Sequence, residues 1–126
     1  MPGTSESTVE GADPTLLRVV PLVRHLAVEG GGTLVLISLE LWKDWLSIAW
    51  LEAPAVDVLH LQTAPRRWSV EDDVGTAYRP GAGGARGGST YYRGTVSFLP
   101  APPEAANVLR ITPPRVLDGS LSIPLR

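Results

Sequence analysis

The chain has 126 residues, one domain's worth, with 11 Lys+Arg against 13 Asp+Glu and a formal net charge of −2. That balance supplies no electrostatic pull toward nucleic acid or an anionic membrane surface. Cysteine is absent, which excludes disulfides, thiolate metal sites and thiol catalysis, while 44% hydrophobic residues suffice for a packed core.

Gly 13 and Pro 12 make up about a fifth of the chain, against a usual background of about 12%. Punctuation this frequent suits many short strands better than long helices. All the basic residues but Lys43 are arginine, in the style of a GC-rich actinobacterial genome.

Met1 to Pro14 contains Glu6, Glu10 and Asp13, with no basic start and no apolar stretch. It reads as a disordered acidic tail rather than a signal, and residues 15–126 as a single β-sandwich domain. No run approaches the ~18 apolar residues of a membrane span. The expected location is the cytoplasm.

Leu16 to Val28 reads as an edge strand kinked at Pro21, because proline is confined to sheet edges and bulges. A helix over Leu22 to Glu29 is the alternative. Gly30-Gly31-Gly32 ends the element. In Thr33 to Glu52, Val35, Ile37, Leu39 and Leu41 alternate, with Ser38, Glu40 and Trp42 on the other face, and Leu46, Ile48 and Trp50 alternate again. A two-residue Lys43-Asp44 turn pairs Trp42 with Trp45, Leu41 with Leu46, Leu39 with Ile48, Ile37 with Trp50 and Glu40 with Ser47. A slip of one residue would turn the apolar set outward, so the register is specified.

Further strands are expected at Val56–Leu61, at Arg67–Val70 running into Glu71-Asp72-Asp73, and at Gly75–Arg79. Pro80 to Ser89, five glycines in ten residues, reads as a flexible hairpin loop. Tyr91–Leu99 alternates with Tyr92, Val96 and Phe98 on one face. Asn107–Thr112 places Leu109 and Ile111 inward, and Ser120–Leu125 places Leu121, Ile123 and Leu125 inward. Seven to nine strands with two-residue periodicity indicate an all-β, immunoglobulin-like antiparallel β-sandwich, with an open barrel as the alternative. The expected core is Val35, Ile37, Leu39, Leu41, Leu46, Ile48, Trp50 and Phe98.

The run Asp72-Asp73-Val74-Gly75-Thr76-Ala77-Tyr78, then Gly94-Thr95-Val96-Ser97-Phe98 followed by Pro100, resembles the D-D-x-G-T-x-Y … G-x-x-x-F-x-P pattern of bacterial, actinobacterial-type immunoglobulin-like domains. The resemblance spans roughly Leu16 to Leu125, with about ten specific positions. It implies a β-sandwich and no chemistry. The residues themselves suit a structural role. An Asp ahead of a glycine closes an Asx turn, Gly75 can take positive φ, and Tyr78 can bury its ring and spend its hydroxyl on a backbone group. Trp50 and Phe98 serve as core.

Candidate sites are few. Glu71, Asp72 and Asp73 offer oxygens to Ca²⁺, but three consecutive strand residues cannot all point one way. The glycine run lacks a Gly-Lys-Ser/Thr ending, and Arg86 stands where a G-x-G-x-x-G match needs glycine. His25 and His60 sit on separate segments without metal-site spacing. No G-x-S-x-G elbow surrounds a serine, and Arg66-Arg67 beside Trp68 is too small for a nucleic-acid patch. Trp42, Trp45 and Tyr91 form a possible contact surface, unless a second layer covers the tryptophans. The expected function is a non-enzymatic module acting by protein–protein contact, in an accessory or assembly role, with a protein partner or a second copy. The alternatives are a small-ligand or carbohydrate module using those aromatics and, third, a hydrolytic enzyme. No cofactor, nucleic acid or membrane span is expected.

Overall fold

The structure is a computed structural model and describes residues 14–54, 68–88, 90–117 and 119–126. Alternating apolar residues set up the central hairpin: β2 (Thr33–Trp42) and β3 (Leu46–Ala53) pair antiparallel across Lys43-Asp44. Trp42 N–H donates to the Trp45 carbonyl at 2.9 Å. The register runs Leu41 with Leu46, Glu40 with Ser47 and Leu39 with Ile48.

Beyond Ser38 the pairing slips at a β-bulge, so that Leu36, not Ile37, stands opposite Trp50. A bulge adds one residue to one strand and reverses which alternate set faces inward. Leu34 and Leu36 are buried, while Val35 and Ile37 are only half-buried. Two expected core residues, Val35 and Ile37, are thereby corrected. Leu41, near the open end, is also only half-buried.

On one side of this hairpin lies β1 (Leu16–Ala27), an edge strand as expected and not a helix. Its pairing with β2 breaks between Leu16 and Arg18 and again between Pro21 and Arg24. The turn into β2 runs through Gly30, Gly31 and Gly32 at φ of 84°, 89° and 107°, a left-handed run that residues with a Cβ resist. On the other side, β6 (Tyr92–Leu99) pairs with β3, and β5 (Arg79–Gly87) pairs with β6.

The glycine run expected as a loop is therefore a strand. A Cβ at Gly83 would lie 2.7 Å from the Thr95 carbonyl oxygen, and one at Gly94 would strike the Gly84 carbonyl. The two backbones approach so closely that only glycine fits, and the ladder hydrogen bonds hold what side chains cannot. The expected strand at Gly75–Arg79 shrinks to Arg79, because residues 75–78 form an irregular corner.

The second sheet has three antiparallel strands in the order β4 (Ser69–Asp72), β7 (Val108–Thr112), β8 (Leu121–Pro124). The first runs β1-β2-β3-β6-β5. Leu34, Leu36, Leu39, Leu46, Ile48, Trp50, Val96 and Phe98 from the five-stranded sheet form one buried cluster with Val70, Leu109, Ile111, Leu121 and Ile123 from the other. Each fully buried side chain of this size stabilises the fold by about 1.5–3 kcal/mol before chain entropy is counted. The chain is an all-β sandwich with eight strands among the described residues. The expected tail at residues 1–14, apart from Pro14, the expected strand at Val56–Leu61, and His60 and Arg66-Arg67 lie outside the described residues.

Candidate functional site

The acidic triplet fans out rather than converging. Glu71 reaches Arg110 across the β4–β7 pair, 3.5 Å from its Nη1. Asp72 turns back into its own loop: its Oδ1 accepts from the Val74 N–H at 2.9 Å and the Thr76 N–H at 3.1 Å, and its Oδ2 from the Tyr78 hydroxyl at 2.8 Å. Asp73 Oδ1 accepts from the backbone N–H groups of Asn107 and Val108, at 2.9 and 3.3 Å. Burial alone would raise the Asp72 carboxyl. Hydrogen bonds from Thr76, Tyr78 and Val74 outweigh it and hold the group at about 2. The amide of Asn107, with Val108 behind it, lowers Asp73 as well.

These carboxylates pin the β4 corner to the start of β7, and no set of three acidic or histidine ligands converges among the described residues. The Asx turn stands, with Gly75 at φ 80°. The Tyr78 hydroxyl bonds a carboxylate, not a backbone group as expected, because Asp72 already occupies the inside of the turn.

Trp42 and Trp45 stack face to face, centroids 5.0 Å apart and planes 8° apart. Trp45 is only 6% exposed and Trp42 half-buried, so they do not form an exposed indole pair. Beside them Glu40 Oε1 accepts from the Ser47 hydroxyl at 2.8 Å and from the Trp42 indole N–H at 3.3 Å. The far rim of Trp42 lines a cavity of about 320 Å³ with Leu17, Arg18, Leu41, Pro102 and Leu125.

Sequence reading missed a buried ion pair. Glu52, 3% exposed at the end of β3, receives Arg115 Nη2 at 2.5 and 2.7 Å on its two carboxylate oxygens. Arg115 lies in the left-handed region at φ 62°. Its carbonyl accepts from the Glu29 N–H at 2.8 Å, and Val116 bridges Val28. The pair therefore clasps the β7–β8 connection to the ends of β1 and β3. No run of charges could have revealed it, since the partners are 63 positions apart.

The other feature that sequence reading missed is the outer border of β5. Its far edge carries no strand among the described residues, and all its side chains but Gly81 are exposed. Arg86 stands directly opposite Arg93 on the solvent side of the β5–β6 pair. They rim an open depression of about 470 Å³ with Gly83, Gly84 and Thr95. Tyr91, 46% exposed, sits in the turn that closes this hairpin, where its carbonyl accepts from the Gly88 N–H. The outward set at Tyr91, Arg93 and Thr95 was legible from alternation, whereas Ser97, expected on the same face, is buried opposite Ser47. Arg86 could have been placed opposite Arg93 by counting back from a tight turn at Gly88–Tyr91.

His25 lies exposed on β1. No helix among the described residues is long and apolar enough to cross a membrane. No family model, curated protein or solved structure matches the chain.

Proposed function

We propose that this sandwich, which we read as a bacterial immunoglobulin-like domain, is a non-enzymatic cytoplasmic contact module that binds an extended segment of a partner protein along the free edge of β5. The supporting observation is the contrast among the sheet edges. β1 is broken by two register shifts, by Pro21 and by Val23 at φ 47°. β4 and β8 have only four residues each, and β8 includes Pro124. Bulges, prolines and shortness are the usual guards against unwanted strand pairing. β5 has nine residues and, past its single shift between Pro80 and Gly83, pairs without a break from Gly83 to Gly87. Its small residues leave the backbone open, as strand addition requires. Tyr91 at the hairpin end adds an aromatic anchor.

The test is an unbiased selection of peptides displayed at random against the immobilised protein, followed by amide exchange. Selected peptides should slow exchange of the β5 amides and leave β1 unchanged. Protection elsewhere, or no selected binder, would overturn the reading. Protection around Leu17, Trp42 and Leu125 would favour a second reading, an apolar small ligand in the cavity that Trp42 and Arg18 line.

A further inference from the structure

We infer that the segment accepted by β5 is acidic, with a carboxylate side chain seated between Arg86 and Arg93; this rests on the strand-addition reading above. Residues directly opposite in an antiparallel pair hold their Cβ atoms about 5 Å apart, and like charges there repel. Arg86 and Arg93 occupy such a position. Neither has a carboxylate within ion-pair distance among the described residues, whereas Arg110 and Arg115 both have one. The repulsion is relieved by a bound anion, and guanidinium groups side by side suit a carboxylate's two oxygens.

Arg79 extends the same charge. It pairs with Leu99 at the other end of β5 and is exposed on the same face as Arg86. The whole border is thus cationic on a chain whose net charge is −2. A second copy of this chain is a poor occupant, because antiparallel β5–β5 pairing would set arginines against arginines. The depression between the two arginines is floored by Gly84 and walled by Thr95, so a side chain pointing outward from an added strand has room there. Nothing would be within 4 Å of a Cβ at Gly84, so that spot is open.

The experiment uses the full chain and three extended peptides of one alternating Thr/Val sequence, with Glu, Gln or Lys at the solvent-facing positions. Binding is read from backbone amide shifts of β5 and repeated on Arg86→Gln/Arg93→Gln. The Glu peptide should bind β5 most tightly, and the double variant should weaken it roughly three- to tenfold while leaving the Gln peptide unchanged. Raised salt should erase the difference. Equal binding of Glu and Gln peptides at β5 would overturn the charge inference and leave strand addition standing. No β5 shift with any peptide would overturn both. Self-association through β5, seen as concentration-dependent β5 shifts without peptide, would overturn the acidic-partner assignment in favour of a second copy.

Discussion

Arg115 Nη2 lies 2.5 Å from Glu52 Oε1 and 2.7 Å from Oε2, joining the β7–β8 connection to the last residues of β3. Both side chains are largely removed from water, at 14% and 4% exposure. Arg115 Nε and the nearby core Trp50 Nε1 are buried without a protein partner among the described residues. Among the described residues Arg115 and Glu52 form the one ion pair with both side chains largely buried.

Removing one partner leaves an uncompensated buried charge. Glu52→Gln should cost about 3–5 kcal/mol of unfolding free energy in urea. Replacing both, Glu52→Leu with Arg115→Met, should recover most of that loss. Arg115→Gly relaxes the left-handed backbone but abandons Glu52, so it too should be destabilising. A Glu52→Gln variant as stable as the parent would show that the clasp carries no weight.

The stacked tryptophans should respond unequally. Trp45→Ala empties a buried site and should cost about 3–5 kcal/mol. Trp42→Ala loses the stacking and some burial, about 1 kcal/mol. Chemical denaturation of the two variants checks this, and equal costs would contradict the different burial of the two rings.

Asp72 makes stability depend on acid. Its folded value, about 2, lies below its ordinary 3.8. The ionised carboxylate therefore stabilises the fold above 3.8, and this contribution drains away as pH falls toward 2. Asp72→Asn should be less stable than the parent near neutral pH, and the gap should close over that acid window. A gap that stays constant with pH would mean the carboxylate charge is irrelevant.

Tyr78 is the alkaline counterpart. Burial, then its bond to the Asp72 carboxylate, push the hydroxyl above its ordinary 10. The unfolded chain ionises first, so this group stabilises the fold below pH 10 and the contribution is lost as pH rises past it. Absorbance titration of the three tyrosines should show one late component, absent from Tyr78→Phe.

Gly94→Ala probes the β5–β6 contact. A Cβ there would collide with the Gly84 carbonyl and sit 2.9 Å from the Ala85 Cα. β5 amides should exchange much faster in this variant while those of β2 and β3 stay protected. Unchanged β5 exchange would show that the close approach is not needed.

Alternation in the sequence was enough to determine that the chain is an all-β sandwich, that Trp42 faces Trp45 across a two-residue turn, and that Leu39, Leu46, Ile48, Trp50, Phe98, Leu109, Ile111, Leu121 and Ile123 line its interior. Those facts are local: a period of two and a turn length fix which side each residue takes. Tertiary structure alone decided the rest. The bulge at Ile37 answers to the neighbouring strands, and no residue in β2 announces it. The glycine run becomes β5 only because β6 supplies a backbone to bond, and glycine's lack of a side chain reads from sequence as looseness. The acidic triplet acts as a staple because Asn107 and Arg110 arrive from a distant segment. Glu52 finds Arg115 through folding that sets remote segments side by side, which no short-range spacing encodes.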